Sequence, residues 1–358
     1  MKIYLLNGNC KKYLTIEIKE HGNKCTFTKK HKLISQKSKI DQFNQNIWNK
    51  SKKNMNIYEY IYTSSNLRKN ICNINPISRS YFKLHEILKS YHFNISTCCC
   101  IAEGPGGFIH CLNDNDENMM NYGITLISDD KSIPYWNNNL VINPKNKISF
   151  GNDGTGDIYK SKNTENFINE VGKGKCDLVT GDGGFDYSLN YNLQELSSYR
   201  LLFCEIYIAL NVQKKGGNFI LKIFDLFYYQ TIQLIYLLYN CYSKIEFFKP
   251  NFSRLSNSEK YMICSDFLGC PDNILKQIKD NYENLNQIWI DIPYQFITMI
   301  NEYNEIFTDI QINEIMKIIK NIKNKNIKEY PTGIQIRNAL KWCELYSLPI
   351  NKDCIYLN

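Results

Sequence analysis

From about residue 76 to 270, short apolar runs of strand length alternate with glycine-rich turns and with longer segments whose apolar residues recur at helical spacing. That alternation predicts an α/β domain built on a mostly parallel sheet. Five strands are predicted, at 97–102 (TCCCIA), 176–180 (CDLVT), 218–224 (NFILKIF) following the turn KKGG, 244–249 (KIEFFK) and 260–266 (KYMICSD). Helices fit SRSYFKLHEILKSY before the first strand, NLQELSSYRLLFCEIYIALNVQ after the second and QTIQLIYLLYNCY after the third. Only PNFSRLSNSE joins the last two strands, too little for a crossover helix, so they should form an antiparallel hairpin. The expectation is a doubly wound, Rossmann-like α/β sheet ending in that hairpin.

On either side the pattern changes. Residues 1–75 read as a basic N-terminal extension, and 271–358 as a helical C-terminal extension in which IFTDIQINEIMKIIKNIKNKNIKEY keeps apolar residues at helical spacing before Pro331. The 358 residues carry 43 Lys+Arg against 35 Asp+Glu, a net +8, and 43% are hydrophobic, enough for a packed core and too many for a disordered chain. Residues 1–53 hold 13 lysines against Glu17, Glu20 and Asp41, which leaves the remaining chain near neutral. Such a concentration suits a polyanion, nucleic acid before membrane, because no amphipathic Trp/Leu face accompanies it; the competing explanation is codon bias, which the 46 asparagines also suggest. The fourteen cysteines form no C-x-x-C pair and the five histidines all lie before residue 111, so no zinc spacing is visible, and Cys98–Cys100 read as small core residues of a reduced compartment. No signal peptide is expected from the start MKIYLLNGNC, and no run approaches the length of a membrane span; among intracellular sites, nucleus, cytoplasm and, for a viral protein, viral factory or virion all stay open.

Two local features carry chemistry. The loop Glu103-Gly104-Pro105-Gly106-Gly107-Phe108 follows the first strand directly, where glycines let backbone amides approach a ligand at the carboxyl edge of a sheet. It fails the dinucleotide fingerprint at Ile109 and lacks the Lys-Ser/Thr of a P-loop, which leaves a nucleoside without a pyrophosphate. Lys222 stands among Phe219, Ile220, Leu221, Ile223 and Phe224 on a strand that should be buried on both faces, and a lysine there is rare without a task.

In order along the chain, SRSYFKLHEIL, EGPGGF, GDGGFD with NLQEL, GGNFILKIFDLF and KPNFSRLSNSEKYMIC resemble the FtsJ-like ribose 2′-O-methyltransferases, and within them most nearly the mRNA cap-1 enzymes of eukaryotes and large DNA viruses. The resemblance covers roughly 76–268. It implies a methyltransferase fold and a Lys-Asp-Lys-Glu tetrad at Lys83, Asp182, Lys222 and Glu259. In that scheme Lys222 is the general base for the ribose hydroxyl; burial and the like charge of Lys83 would lower its pKa, Asp182 and Glu259 would orient the two ammonium groups, and no metal is required.

The implied donor is S-adenosyl-L-methionine, held by Gly104, Pro105, Gly106, Gly107 and Phe108, by Asp157 next to the adenine, by Asp182 and by Ser78, which stands where the cap group usually has asparagine. Asp129 or Asp130 is an alternative for the ribose. RNA contacts are implied at Asn192, Leu193, Gln194, Arg254 and Asn257; Asn192 could instead, or also, cap the following helix. The implied activity is cap-specific 2′-O-methylation of the first transcribed nucleotide, with capped mRNA as partner and other capping enzymes left open. The competing readings are an FtsJ-type enzyme on rRNA, tRNA or the second cap nucleotide, and an inactive RNA-binding scaffold.

Overall fold

The computed structural model describes residues 2–6, 14–19, 22–185, 191–285 and 288–357, so Asp186 of the GDGGFD block lies outside the described residues. The chain divides into two compact units: Met1–Thr28, Phe93–Lys249 and Glu259–Asn304 form the first, and Lys29–His92, Pro250–Ser258 and Glu305–Asn358 the second.

The strands all belong to the first unit: β1 (Lys2–Leu5), β2 (Ile16–Ile18), β3 (Thr97–Ile101), β4 (Met120–Ile124), β5 (Asn146–Ser149), β6 (Cys176–Gly181), β7 (Gln213–Ile223), β8 (Tyr242–Lys249), β9 (Lys260–Phe267) and β10 (Ile288–Ile290). Eight form one sheet in the order β1-β8-β9-β7-β6-β3-β4-β5, while β10 pairs with β2. The pairings from β7 through β6, β3 and β4 to β5 are parallel; β7–β9, β8–β9 and β1–β8 are antiparallel. This is the expected methyltransferase-like sheet with its hairpin. Its centre is continuous apolar sequence because both faces are covered: Cys98–Ile101, Leu178, Val179 and Phe219–Leu221 are fully buried.

The helices are α1 (Lys30–Ser38), α2 (Gln45–Met55), α3 (Ser80–Tyr91), α4 (Gly107–Asn115), α5 (Asn138–Val141), α6 (Ser161–Val171), α7 (Gln194–Val212), α8 (Tyr229–Cys241), α9 (Asp272–Asp280), α10 (Tyr294–Lys323) and α11 (Gly333–Leu345). In the first unit α7 packs on β6 and β7, and α8 on β8 and β9.

Three features escaped the periodicity. Strands β4 and β5 are short and carry buried asparagines, which are tolerable because Asn121 Nδ2 donates to Asn146 Oδ1 at 3.2 Å and to Asn113 Oδ1 at 2.9 Å. The KKGG segment is no turn but part of β7, where the register against β6 shifts between Cys176 and Leu178 and Gly216 adopts φ +77°. The basic N-terminal stretch is built into both units: β1 extends the sheet along β8, while Leu33 and Trp48 on α1 and α2 are buried in the second unit.

Beyond β7 the chain turns through Leu226–Tyr228, and this turn is held from several sides. The buried Glu195 carboxylate accepts the Phe227 amide with both oxygens at 2.9 Å and the Tyr228 amide at 2.9 Å. Asn304 Nδ2 donates to Leu226 O at 2.6 Å, and the Thr26 amide to Phe227 O at 2.8 Å. Glu195→Ala should strand the buried Phe227 amide and loosen that of Tyr228, at a cost of about 1–3 kcal/mol in urea unfolding; a loss under about 0.5 kcal/mol would show that water satisfies them instead.

Candidate active site

The site grows from the carboxyl ends of β6 and β7. Lys222 lies on β7 opposite Tyr261 of β9, with its side chain 11% exposed. Its Nζ donates to the Asp182 carbonyl at 2.5 Å and stands 3.3 Å from Asp182 Oδ1, the oxygen that also accepts the Tyr261 hydroxyl at 2.8 Å. The turn after β6 is held from behind by α7, where the buried Glu205 accepts the Gly183 amide at 3.0 Å. This packing explains the glycines of GDGG: a Cβ at 183 would lie 2.7 Å from Glu205 Oε1, and one at 184 would lie 3.1 Å from Lys222 Nζ.

The charge balance differs from the sequence expectation. Burial pulls the Lys222 pKa down, but Asp182, Glu259 and Glu205 together outweigh it and raise the pKa above the ordinary lysine value. The magnitudes agree: a pair at 3.3 Å is worth about 5 kcal/mol at an effective dielectric near 20, comparable to the several kcal/mol of desolvation, so further carboxylates decide the sign. Burial pushes the Glu205 carboxyl from 4.5 to about 8, against the Gly183 amide and Lys222, which favour its ionised form. Burial, Asp182 and Glu259 push Tyr261 well above the usual phenol range. Glu259 thus acts electrostatically on Lys222 and Tyr261, while its carbonyl accepts Lys249 Nζ at 2.5 Å.

The loops that could hold a nucleoside meet at the carboxyl edge of β3, β4 and β5. Glu103 is buried and turned inward, accepting the Phe108 amide at 2.5 Å, so it shapes the loop rather than facing a ligand. Thr125, just past β4, accepts the Gly104 amide at 3.1 Å with its hydroxyl. Its carbonyl lies against Gly156, where a Cβ would approach to 2.0 Å at φ +60°. That contact brings Asp157 to the same edge as Gly104–Phe108. Asp157 is half-buried, and one of its oxygens accepts the Tyr159 amide at 2.9 Å. Asn163 ties down the preceding turn, its Nδ2 donating to Asp153 Oδ1 at 2.9 Å and to Asp157 O at 3.1 Å. Trp136 packs on Gly106 with its indole N–H buried and unanswered. A half-buried carboxylate and an unanswered buried donor at a glycine-lined sheet edge fit an adenosine-bearing donor. Asp129 and Asp130 are exposed. No group of three or more His, Cys, Asp or Glu that could hold a metal occurs among the described residues.

Of the remaining residues, Asn192 and Leu193 form one 3-10 turn with Tyr191, and Gln194 opens α7. Asn192 is not the helix cap that the sequence allowed: the N-cap position is Leu193, which caps nothing with its side chain. Lys83, Ser78, Arg254 and Asn257 belong to the second unit. Lys83 is half-buried on α3, Ser78 Oγ lies 2.6 Å from Ser80 Oγ, Asn257 is exposed, and Arg254 is paired with the buried Glu59 at 2.6 Å. Sequence reasoning passed over Glu205, Glu195 and Tyr261; a lone carboxylate inside LLFCEIYIAL was the signal available for the first.

The model of the FtsJ-like methyltransferases matches residues 76–267, more than half of the chain. This protein belongs to that family. Among curated relatives, the cap-specific mRNA (nucleoside-2′-O-)-methyltransferase 1 of Leishmania braziliensis is 34% identical over 52% of this chain and 48% of its own length. The proteins of the same name from Mus musculus and Homo sapiens are 31% and 30% identical, over 74% and 66% of this chain but only 34% and 31% of theirs. The chain therefore spans a third to a half of the length of these three relatives. No helix is long and apolar enough to cross a membrane among the described residues.

Glu205 gives a pH prediction. Its carboxyl titrates near 4.5 in the unfolded chain and near 8 in the fold, so between these values the folded state holds the extra proton and stability falls as pH rises, levelling above pH 8. Glu205→Gln should remove that part of the decline, a few kcal/mol, from chemical denaturation at pH 5 and pH 8; parallel wild-type and variant profiles would refute the assignment.

Proposed function

We propose that this protein is a cap-specific mRNA 2′-O-ribose methyltransferase that transfers a methyl group from S-adenosylmethionine to the first transcribed nucleotide. The observation that carries the reading is the buried Lys222 ion-paired with Asp182 at the carboxyl edge of a methyltransferase sheet. The cap assignment draws support from the names of the relatives, and activity, RNA substrate and partners are all part of the proposal.

S-adenosylmethionine, when bound, supplies the electrophilic methyl group. Gly104, Pro105, Gly106, Gly107, Phe108 and Asp157, with Ser78 and Asp182, are the residues we assign to hold it. Asn192, Leu193, Gln194, Arg254 and Asn257 are assigned to the RNA. The ribose hydroxyl is weakly acidic at neutral pH, and a base aligned on its proton is worth about 10²–10⁴ in rate. Lys222 Nζ is assigned that role. Asp182 and Glu259 favour its ammonium form, so an additional positive charge must offset them before it accepts a proton. Lys83 is the side chain we assign to supply that charge, and Tyr261 fixes the Asp182 carboxylate that orients Lys222.

Lys222→Ala should lower methyl transfer by about a hundredfold or more while calorimetry finds donor affinity little changed; retained turnover would reject Lys222 as the base. Capped and uncapped transcripts offered with labelled donor should differ, with label entering only the capped RNA. Equal labelling of both would overturn the cap assignment and leave a methyltransferase of other RNA.

A further inference from the structure

Within the second unit, the segment Pro250–Ser258 is fastened along its length. Glu86 on α3, fully buried, accepts the Asn251 amide at 2.7 Å, the Phe252 amide at 3.2 Å and the Trp342 indole N–H at 3.1 Å. Lys37 Nζ donates to Ser258 Oγ at 3.0 Å, and Gln311 Nε2 to Ser256 O at 3.0 Å. Between these anchors Arg254 is held by a two-point fork on Glu59, Nε to Oε2 at 2.9 Å and Nη2 to Oε1 at 2.6 Å. Glu59 is itself 0% exposed and takes a third bond from Asn56 Nδ2 at 2.8 Å. Two buried carboxylates spent on one surface segment hold it in shape before any ligand arrives, which lowers the ordering cost of binding.

Three cations gather around Glu59 beside this segment. The Arg79 guanidinium lies 4.5 Å from the centre of the Phe252 ring, donates to Tyr62 O and acts on Glu59 together with Arg254. Lys52, in the last turn of α2, is close enough to Arg254 and Glu59 for both charges to act on it. Glu59 therefore faces three cations, while the Glu86 carboxylate is taken up by the loop amides and Trp342. Burial and Arg254 bring Lys52 down to about 8 against the opposing pull of Glu59. Diffuse surface lysines would be solvated and keep their ordinary value.

We propose that Lys52, Arg79 and Arg254, ordered around Glu59, form a subsite for a phosphate group of the RNA backbone. Two planar guanidinium groups and one ammonium suit the oxygens of a phosphodiester, and their contacts with it are indifferent to base identity. Lys52 lies outside the stretch matched by the family model, so the subsite draws on the N-terminal extension. The inference rests on the reading of this protein as an RNA-binding methyltransferase and adds where the backbone is gripped.

The test is fluorescence anisotropy of the full-length protein with a labelled, uncapped single-stranded RNA and no methyl donor, across a salt series. Lys52→Gln should weaken binding roughly three- to tenfold and reduce the slope of log affinity against log salt by about 0.7, the increment for one phosphate contact on a single strand. Lys52→Arg should restore both values. Lys53→Gln removes the same charge from the exposed neighbouring position and should leave the slope unchanged. An unchanged slope in Lys52→Gln, or an equal fall in Lys53→Gln, would overturn the subsite. With neither cap nor donor present, failure of the cap assignment leaves this outcome readable, and intact cap methylation beside an unchanged slope rejects the subsite alone.

Discussion

A lysine ammonium inside a sheet is the constraint around which the first unit is arranged. Lys222 stays ionised at 11% exposure because carboxylates meet it, Asp182 in direct contact and Glu259 through the surrounding low-dielectric protein. Bringing them so close limits everything nearby. The turn after β6 must be glycine where Glu205 and Lys222 press against it, and β9 must present Tyr261 opposite Lys222 to hold the Asp182 carboxylate still. The GDGG block is therefore a packing solution as much as a motif, since any side chain at 183 would push the α7 carboxylate away from the amide it receives.

The same economy appears where the chain leaves β7. Glu195, one residue past the Asn192–Gln194 segment, receives the amides of Phe227 and Tyr228, so the start of α7 and the exit of the strand bearing Lys222 are joined through one carboxylate. Asn304 and Thr26 close the turn from stretches that the family model does not cover. Parts of both extensions thus belong to the first unit, where β1 covers an edge of β8 that would otherwise expose unpaired backbone. In the second unit Glu86 does for Asn251 and Phe252 what Glu195 does for Phe227 and Tyr228, while Glu59 holds the same segment through the Arg254 side chain. Buried acidic side chains receiving backbone amides recur here as the device that fixes loops.

Much of this was legible in advance. Apolar runs and their stops located β3, β6, β7, β8 and β9, because period and length are local properties of strands buried on both faces. The spacing of the last two strands gave their antiparallel sense, and a lysine amid Phe, Ile and Leu marked Lys222. Strands β4 and β5 were hidden because their asparagines are satisfied by each other across the sheet, a pairing no local window contains. The KKGG bulge was hidden because a glycine pair marks a turn and a bulge alike, and only the register on β6 separates them.

Sequence alone thus determined which residue types are available for the chemistry and the order in which strands and loops present them. The tertiary structure decided their electrical state and their neighbours. Lys222 reads from sequence as a lysine whose pKa burial lowers, yet in the fold it is raised, because the carboxylates of Asp182, Glu259 and Glu205 arrive from three separate segments. Hydrophobic periodicity is fixed by residues a few positions apart and so survives in the linear text. The sign of a buried charge is a sum over groups that meet only when the chain is folded.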